Sequence, residues 1–172
     1  MEIPGARSLL RRLDQQNVPW AVVTSGTRNL INGWLQVLQL ARPRTMVVAE
    51  DVHTGKPDPS CYLLGRERLG FQRNASAIVF EDAPSGVKAG KAAGFTVVGL
   101  ATTHTVGQLQ EAGADWIVTD FLSISIVMRD DRRITVEVSN ALVGQCAAPS
   151  TSEWRHDGTD CHETTIQKAV DG

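Results

Sequence analysis

What this chain of 172 residues has little of narrows its class before any motif is read. It has no excess of either charge, since 17 basic and 19 acidic residues leave a formal net charge of -2. No basic stripe and no interleaving of basic with aromatic side chains occurs, so nucleic acid is not an expected partner. No apolar run approaches the roughly 20 residues that a membrane-spanning helix needs. The three cysteines, Cys61, Cys146 and Cys161, are odd in number and widely spaced. That argues against a disulfide framework and for a reducing, cytoplasmic setting, with Cys61 packed in the core or on a helix surface. Residues 1–17 lack the continuous apolar stretch of a targeting segment and read as an amphipathic helix. Neither GxGxxG nor GxxxxGK(S/T) is present, which weighs against a dinucleotide or nucleoside triphosphate site.

What is there is a helix–strand alternation. Residues 5–16 put Leu9, Leu10 and Leu13 on one helical face. WAVVTS (20–25) reads as a buried strand, and 28–40 returns to helical spacing through Leu30, Ile31, Trp34, Leu35 and Leu38. TMVVAE (45–50) is a second strand, followed by a helix over 59–70 closed by Gly70. AIVFED (77–82), a helix over 84–93 and TVVGLA (96–101) come next, then QLQEAG (108–113) and WIVTD (116–120). Continuous β-branched runs separated by helices predict an α/β, Rossmann-like three-layer fold with a parallel sheet covered on both faces. RITVEV (133–138) alternates with period two and is expected as an added edge strand. Residues 1–143 are expected to form the core, and the polar, aperiodic stretch 144–172 a disordered tail.

In such sheets ligands collect at the C-terminal ends of the strands. Three clusters lie there. In VVTSGTRN (22–29) a strand runs into a Ser25-Gly26-Thr27 turn and a helix N-terminus, which suits a phosphate oxygen, although Ser25 or Thr27 could equally cap the helix. In TGKPDP (54–59) Pro57 restricts Lys56 to an extended conformation, placing an ammonium before a helix that Pro59 can open. That cation can neutralise a phosphoryl group, or it can be a solvated loop lysine. In IVFEDAPSGVKAGKAAG (78–94) the paired carboxylates of Glu81 and Asp82 close a buried strand. Such a pair is costly without a cation or hydrogen bonds, and magnesium accepts one or two carboxylates with waters and substrate phosphate. The competing reading is a helix cap. Glu50-Asp51 repeats the same strand-end shape, and spacing alone does not choose between the pairs. Gly86, Gly90 and Gly94 predict a small-residue face for close helix–sheet packing. His156, Cys161 and His162 match no zinc-ligand spacing.

TSGTR, GKPDPSCYLLGRERLGF and VFEDAPSGVKAGKAAG, in this order, resemble the haloacid dehalogenase superfamily of phosphatases. The likeness is closest to fungal glycerol-phosphate and 2-deoxyglucose-6-phosphate phosphatases, over about residues 2 to 125. It implies a magnesium-dependent hydrolysis of a small phosphorylated metabolite, a sugar or polyol monophosphate, through an aspartyl-phosphate. By position it implies that Ser25, helped by the Gly26 amide and Asn29, holds the phosphoryl group. Lys56 then steadies the nucleophile and phosphate, and Asp82 with Glu81 holds Mg2+, which sets Glu50-Asp51 aside. The sequence departs from the family in having no D-x-D, and so no nucleophilic aspartate. HDGTD (156–160) has Arg155 in the nucleophile position. The cap that selects substrate in the family is also absent, so the chain reads as N-terminally incomplete. The family's first strand lies between those ending at Ser25 and Asp82, and its loss predicts two unpaired central edges. A non-catalytic phosphate-binding or protein-binding descendant is the alternative reading.

Overall fold

The computed structural model describes residues 2–40, 42–128, 134–144, 151–152 and 164–168. Helix α1 (Ala6–Gln15) buries Leu9 and Leu13, the apolar face that the leucine spacing predicts. Gly5 precedes it at φ 82°, and a Cβ there would collide with the backbone of Phe121 and Leu122. Strand β1 (Ala21–Val23) leads into α2 (Arg28–Val37), and β2 (Thr45–Val47) into a 3-10 turn at Ala49–Asp51. Then follow α3 (Ser60–Arg68), β3 (Ile78–Glu81), α4 (Pro84–Ala92), β4 (Thr96–Leu100), α5 (Val106–Glu111) and β5 (Trp116–Val118). After a second 3-10 turn come β6 (Ile124–Met128), β7 (Ile134–Val138), β8 (Val143–Gly144), β9 (Thr151–Ser152) and β10 (Thr164–Lys168). No described helix is long and apolar enough to cross a membrane.

The parallel sheet is in two pieces. β1 and β2 pair in parallel, β3, β4 and β5 form a second parallel set, and β8 adds to β5 antiparallel. Among the described residues, no strand hydrogen-bonds to the free edge of β1 or to the free edge of β3. The two unpaired central edges expected from the sequence are therefore present. A cavity of about 400 Å³ lies between them, bordered by Ala21–Val23 on one side and Ile78–Phe80 on the other.

Side chains of β4 and β5 divide between two cores, as alternation in a doubly covered sheet requires. Val98, Leu100, Trp116 and Val118 face α1 together with β6 and β7. Val97 and Ile117 face the other way, into a core with Tyr62, Val87, Phe95 and Leu109 from the helical layer. Full burial of each such aliphatic side chain contributes about 1.5–3 kcal/mol.

One expectation needs correction. RITVEV is not an added edge strand of the parallel sheet. β7 lies inside a second sheet of order β6-β7-β10-β9, pairing antiparallel with β6 and parallel with β10. Its side chains at Ile134, Val136 and Val138 are buried against α1 and β5. Helix α2 has the periodicity predicted for it but buries none of its residues, leaving Leu30, Trp34 and Val37 more than half exposed. Of the stretch 144–172, only Gly144, β9 and β10 are described. The rest, including Arg155 and the His156, Cys161 and His162 group, lies outside the described residues.

Candidate functional site

Lys56 joins the C-terminal ends of β1 and β3. Its Nζ donates to the carbonyl of Val23, the last residue of β1 (3.4 Å), and pairs with the carboxylate of Glu81, the last residue of β3. The Lys56–Pro57 peptide is cis, a feature the sequence reading did not foresee. Both partners are recessed, with side-chain exposures of 9% for Lys56 and 8% for Glu81. An ion pair this deep persists only when hydrogen bonds satisfy the remaining lone pairs.

Those bonds are present. Tyr62, on the first turn of α3, donates its hydroxyl to the same Glu81 oxygen (3.0 Å), while its ring lies 4.8 Å from Lys56 Nζ. Burial, reinforced by the Glu81 carboxylate, pushes the Tyr62 phenol far up, so it remains a protonated donor. The other Glu81 oxygen accepts the backbone amides of Asp82 (2.9 Å) and Ala83 (3.0 Å). Gly86 makes room for this carboxylate, because a Cβ at that position would run into it. Gly90 instead permits contact with β4, since its Cβ would come within 2.7 Å of Val97. The expected small-residue face is thus two residues with different tasks. Gly94, the third, sits at φ 79° after the helix and meets nothing.

Asp82 points elsewhere. Thr103, beyond the end of β4, donates to Asp82 Oδ2 (2.7 Å), and His104 Nδ1 donates to the Asp82 carbonyl oxygen (2.9 Å). Neither Thr103 nor His104 was among the residues the sequence singled out, and nor were Tyr62 and Thr24. Position was the available signal for Thr103 and His104, since both follow the C-terminal end of a parallel strand.

In the first cluster the Gly26 amide departs from expectation. Ser25 is exposed in the turn after β1, and Asn29 is exposed on the first turn of α2. The Gly26 amide, expected to face a phosphate, donates to Thr24 Oγ1 (3.0 Å). Thr27 is the cap of α2, accepting from the Leu30 amide at 3.4 Å. Glu50 receives the Arg28 amide on both carboxylate oxygens, at 3.1 and 3.2 Å. The Glu50-Asp51 pair is thereby explained as structural. Asp51 takes Arg28 (3.0 Å), Arg68 (2.9 Å) and the Val48 amide (3.0 Å), and these bonds, Arg68 first, hold its carboxyl well below the usual range.

Glu81 also departs from its expected role, since both of its oxygens are engaged inside the protein and it offers no open metal position. Among the described residues, no group of three or more His, Cys, Asp or Glu could hold a metal ion. Asp82, half-buried at the rim, fits a site of the magnesium type, in which one carboxylate suffices when water and phosphate complete the octahedron. A recessed cation and, at the end of β3, a half-buried carboxylate are the kinds of group that can meet a phosphate and the ion that accompanies it.

Comparison with known proteins identifies the family. Residues 1–100 match the family model described as haloacid dehalogenase-like hydrolase. The chain is 44% identical over 133 residues to glycerol-1-phosphate phosphohydrolase 1 of Saccharomyces cerevisiae, covering 73% of this chain and 53% of that one. It is 36% identical over 156 residues to 2-deoxyglucose-6-phosphate phosphatase 2 of the same yeast, covering 81% and 63%. Among solved structures, a HAD family hydrolase from Deinococcus radiodurans with bound phosphate and sodium superposes with TM-score 0.65 at 29% identity, covering 70% and 56%. A hydrolase from Pseudomonas syringae gives TM-score 0.63 at 32% identity, covering 70% and 59%. The chain spans about half to just under two thirds of the length of these relatives.

Proposed function

We propose, from the premise that this chain belongs to the haloacid dehalogenase-like hydrolases, that it carries the phosphate- and magnesium-holding side of a phosphatase site. The substrates are monophosphates of sugars or polyols, the class named for both yeast relatives. The observation that carries this reading is Lys56, held between Val23 and Glu81 at the same strand ends as Asp82.

Lys56 places a positive charge where a phosphoryl group would rest at the mouth of the sheet, and the Tyr62–Glu81 contacts keep it there. Ser25, exposed on the chain leaving β1 two residues beyond Val23, supplies a hydroxyl to a phosphate oxygen, with Asn29 one helical turn further on. Asp82 is the carboxylate that would hold Mg2+, and the ion would supply charge neutralisation to the phosphate. Glu81 acts behind both groups, fixing Lys56 through its carboxylate and Asp82 through the backbone amide. The sequence has no D-x-D and hence no nucleophile of the family's type. The 172 residues alone are therefore expected to bind and neutralise a phosphate without breaking its ester. The scarce cysteines favour the cytoplasm as its location.

Isothermal titration with inorganic phosphate, with and without Mg2+, tests the reading. Binding should strengthen with Mg2+ and fall at least tenfold in Lys56→Met and in Asp82→Asn. Equal affinity in the parent and both variants would remove Lys56 and Asp82 from the site.

A further inference from the structure

Thr103 and His104 both contact Asp82, and the phosphate site described above gives neither a task. We infer that Thr103, backed by His104, is the positioning residue of the Asp82 carboxylate. It turns that carboxylate toward the divalent cation without cancelling its charge, a role that rests on Asp82 being the magnesium carboxylate.

The bond directions follow from counting protons. Thr103 Oγ1 lies 2.7 Å from Asp82 Oδ2, 3.0 Å from His104 Nδ1 and 3.2 Å from the Asp82 carbonyl oxygen. A hydroxyl has one proton to give and lone pairs to receive. Of these neighbours the carboxylate oxygen is the nearest and the only charged acceptor, so the proton goes to Oδ2. His104 Nδ1 stands 2.9 Å from the Asp82 carbonyl oxygen, which only accepts. Nδ1 therefore carries the ring hydrogen and shares it between that carbonyl and Thr103 Oγ1. Donation runs from His104 to Thr103 to Asp82, with no proton left over and no two donors opposed.

The charge left on Asp82 gives this chain its use. Thr103 engages Oδ2 and leaves Oδ1 for an ion. Asp51 meets Arg28 and Arg68, Glu81 meets Lys56, and Asp115 meets Lys91. Asp82 forms no ion pair among the described residues. A neutral donor fixes the direction of the carboxylate and keeps its negative charge, which a hard cation draws on. Partners bonded behind a metal ligand orient it in this way.

Thr103 is itself held. β4 ends at Leu100, and the Thr102 amide folds back onto the Leu100 carbonyl (2.8 Å). Two residues beyond Thr103, Thr105 caps α5. Its hydroxyl accepts the Gln108 amide (3.3 Å), and its own amide donates to the Gln108 side chain (3.0 Å). A segment fixed by a turn on one side and a capping box on the other brings the hydroxyl to Asp82 already oriented.

Isothermal titration of the whole chain with Mn2+, a probe for a magnesium-type site, tests the role. The variants are Thr103→Val, Thr103→Ser, Thr102→Val and Asp82→Asn. Thr103 and Thr102 are exposed, so their substitution leaves the cores intact. Thr103→Val removes the donor at nearly constant shape and should weaken Mn2+ binding about tenfold. Thr103→Ser restores the hydroxyl and should stay close to the parent, and Thr102→Val should equal it. Parent-like affinity in Thr103→Val, with Asp82→Asn weakened, overturns the positioning role and keeps the magnesium reading. An equal loss in Thr103→Ser and Thr103→Val also overturns it, because the hydroxyl would then not be the group that acts. Parent-like affinity in Asp82→Asn removes the magnesium reading and the positioning role together.

Discussion

Lys56 and Glu81 form a buried ion pair that spans the break in the parallel sheet. The lysine reaches the end of β1 through the Val23 carbonyl, and the glutamate is the end of β3. One side-chain pair thus ties together two strand ends that no backbone ladder connects. It also holds the cation that the proposed phosphate site requires.

Removing one partner should cost more than removing both. Lys56→Met leaves the Glu81 charge buried with only Tyr62 and two amides, and breaking such a pair typically costs about 3–5 kcal/mol. The double variant Lys56→Met with Glu81→Leu should lose less stability than Lys56→Met alone. Urea denaturation of the parent, the two single variants and the double variant measures the difference, and additive losses would show that the pair is not coupled.

Glycines in and around α4 and α5 should respond in opposite directions. Gly86→Ala drives a methyl group into the Glu81 carboxylate and is expected to cost about 1–3 kcal/mol. Gly107→Ala, inside α5 with open space around it, should be neutral or stabilising by up to about 1 kcal/mol. Thermal or urea unfolding separates the two.

Acid should weaken the α2–β2–α3 corner through Asp51. Its carboxyl is held below the ordinary value by Arg68, Val48 and Arg28, so this contribution is fully present above about pH 4. It is lost as the pH falls from there toward the lowered folded-state value. Arg68→Gln removes the first-named cause and should flatten the fall in urea midpoint between pH 5 and pH 2.5, a window set by the ordinary carboxylate range. The effect should shrink in high salt, because Arg28 and Arg68 are well exposed.

The sequence revealed the site's address better than its wiring. Lys56, Glu81 and Asp82 stood out as charged groups at or near the ends of aliphatic runs, and the structure joins Lys56 to Glu81. Glu50-Asp51 looked identical, and only the fold shows Arg28 and Arg68 consuming it. Tyr62 was hidden because its helix spacing reads as core, which it is, while its hydroxyl does something that spacing does not encode. Gly86 was correctly expected to allow a close approach, but to a carboxylate rather than to the sheet. β7 was mislaid for a related reason. Alternation in RITVEV reports which face is buried, not which strand is its neighbour, and β6 at Ile124–Met128 was not recognised as a strand.

The most direct test of the proposed phosphate-holding site is a single phosphorus NMR experiment on the purified chain with glycerol 1-phosphate and Mg2+. The expected result is a shifted or broadened ester signal that returns to its free position in Lys56→Met, with no inorganic phosphate signal growing over time. A magnesium-dependent inorganic phosphate signal that builds up in the parent chain, or an ester signal unaffected by the protein, would contradict it.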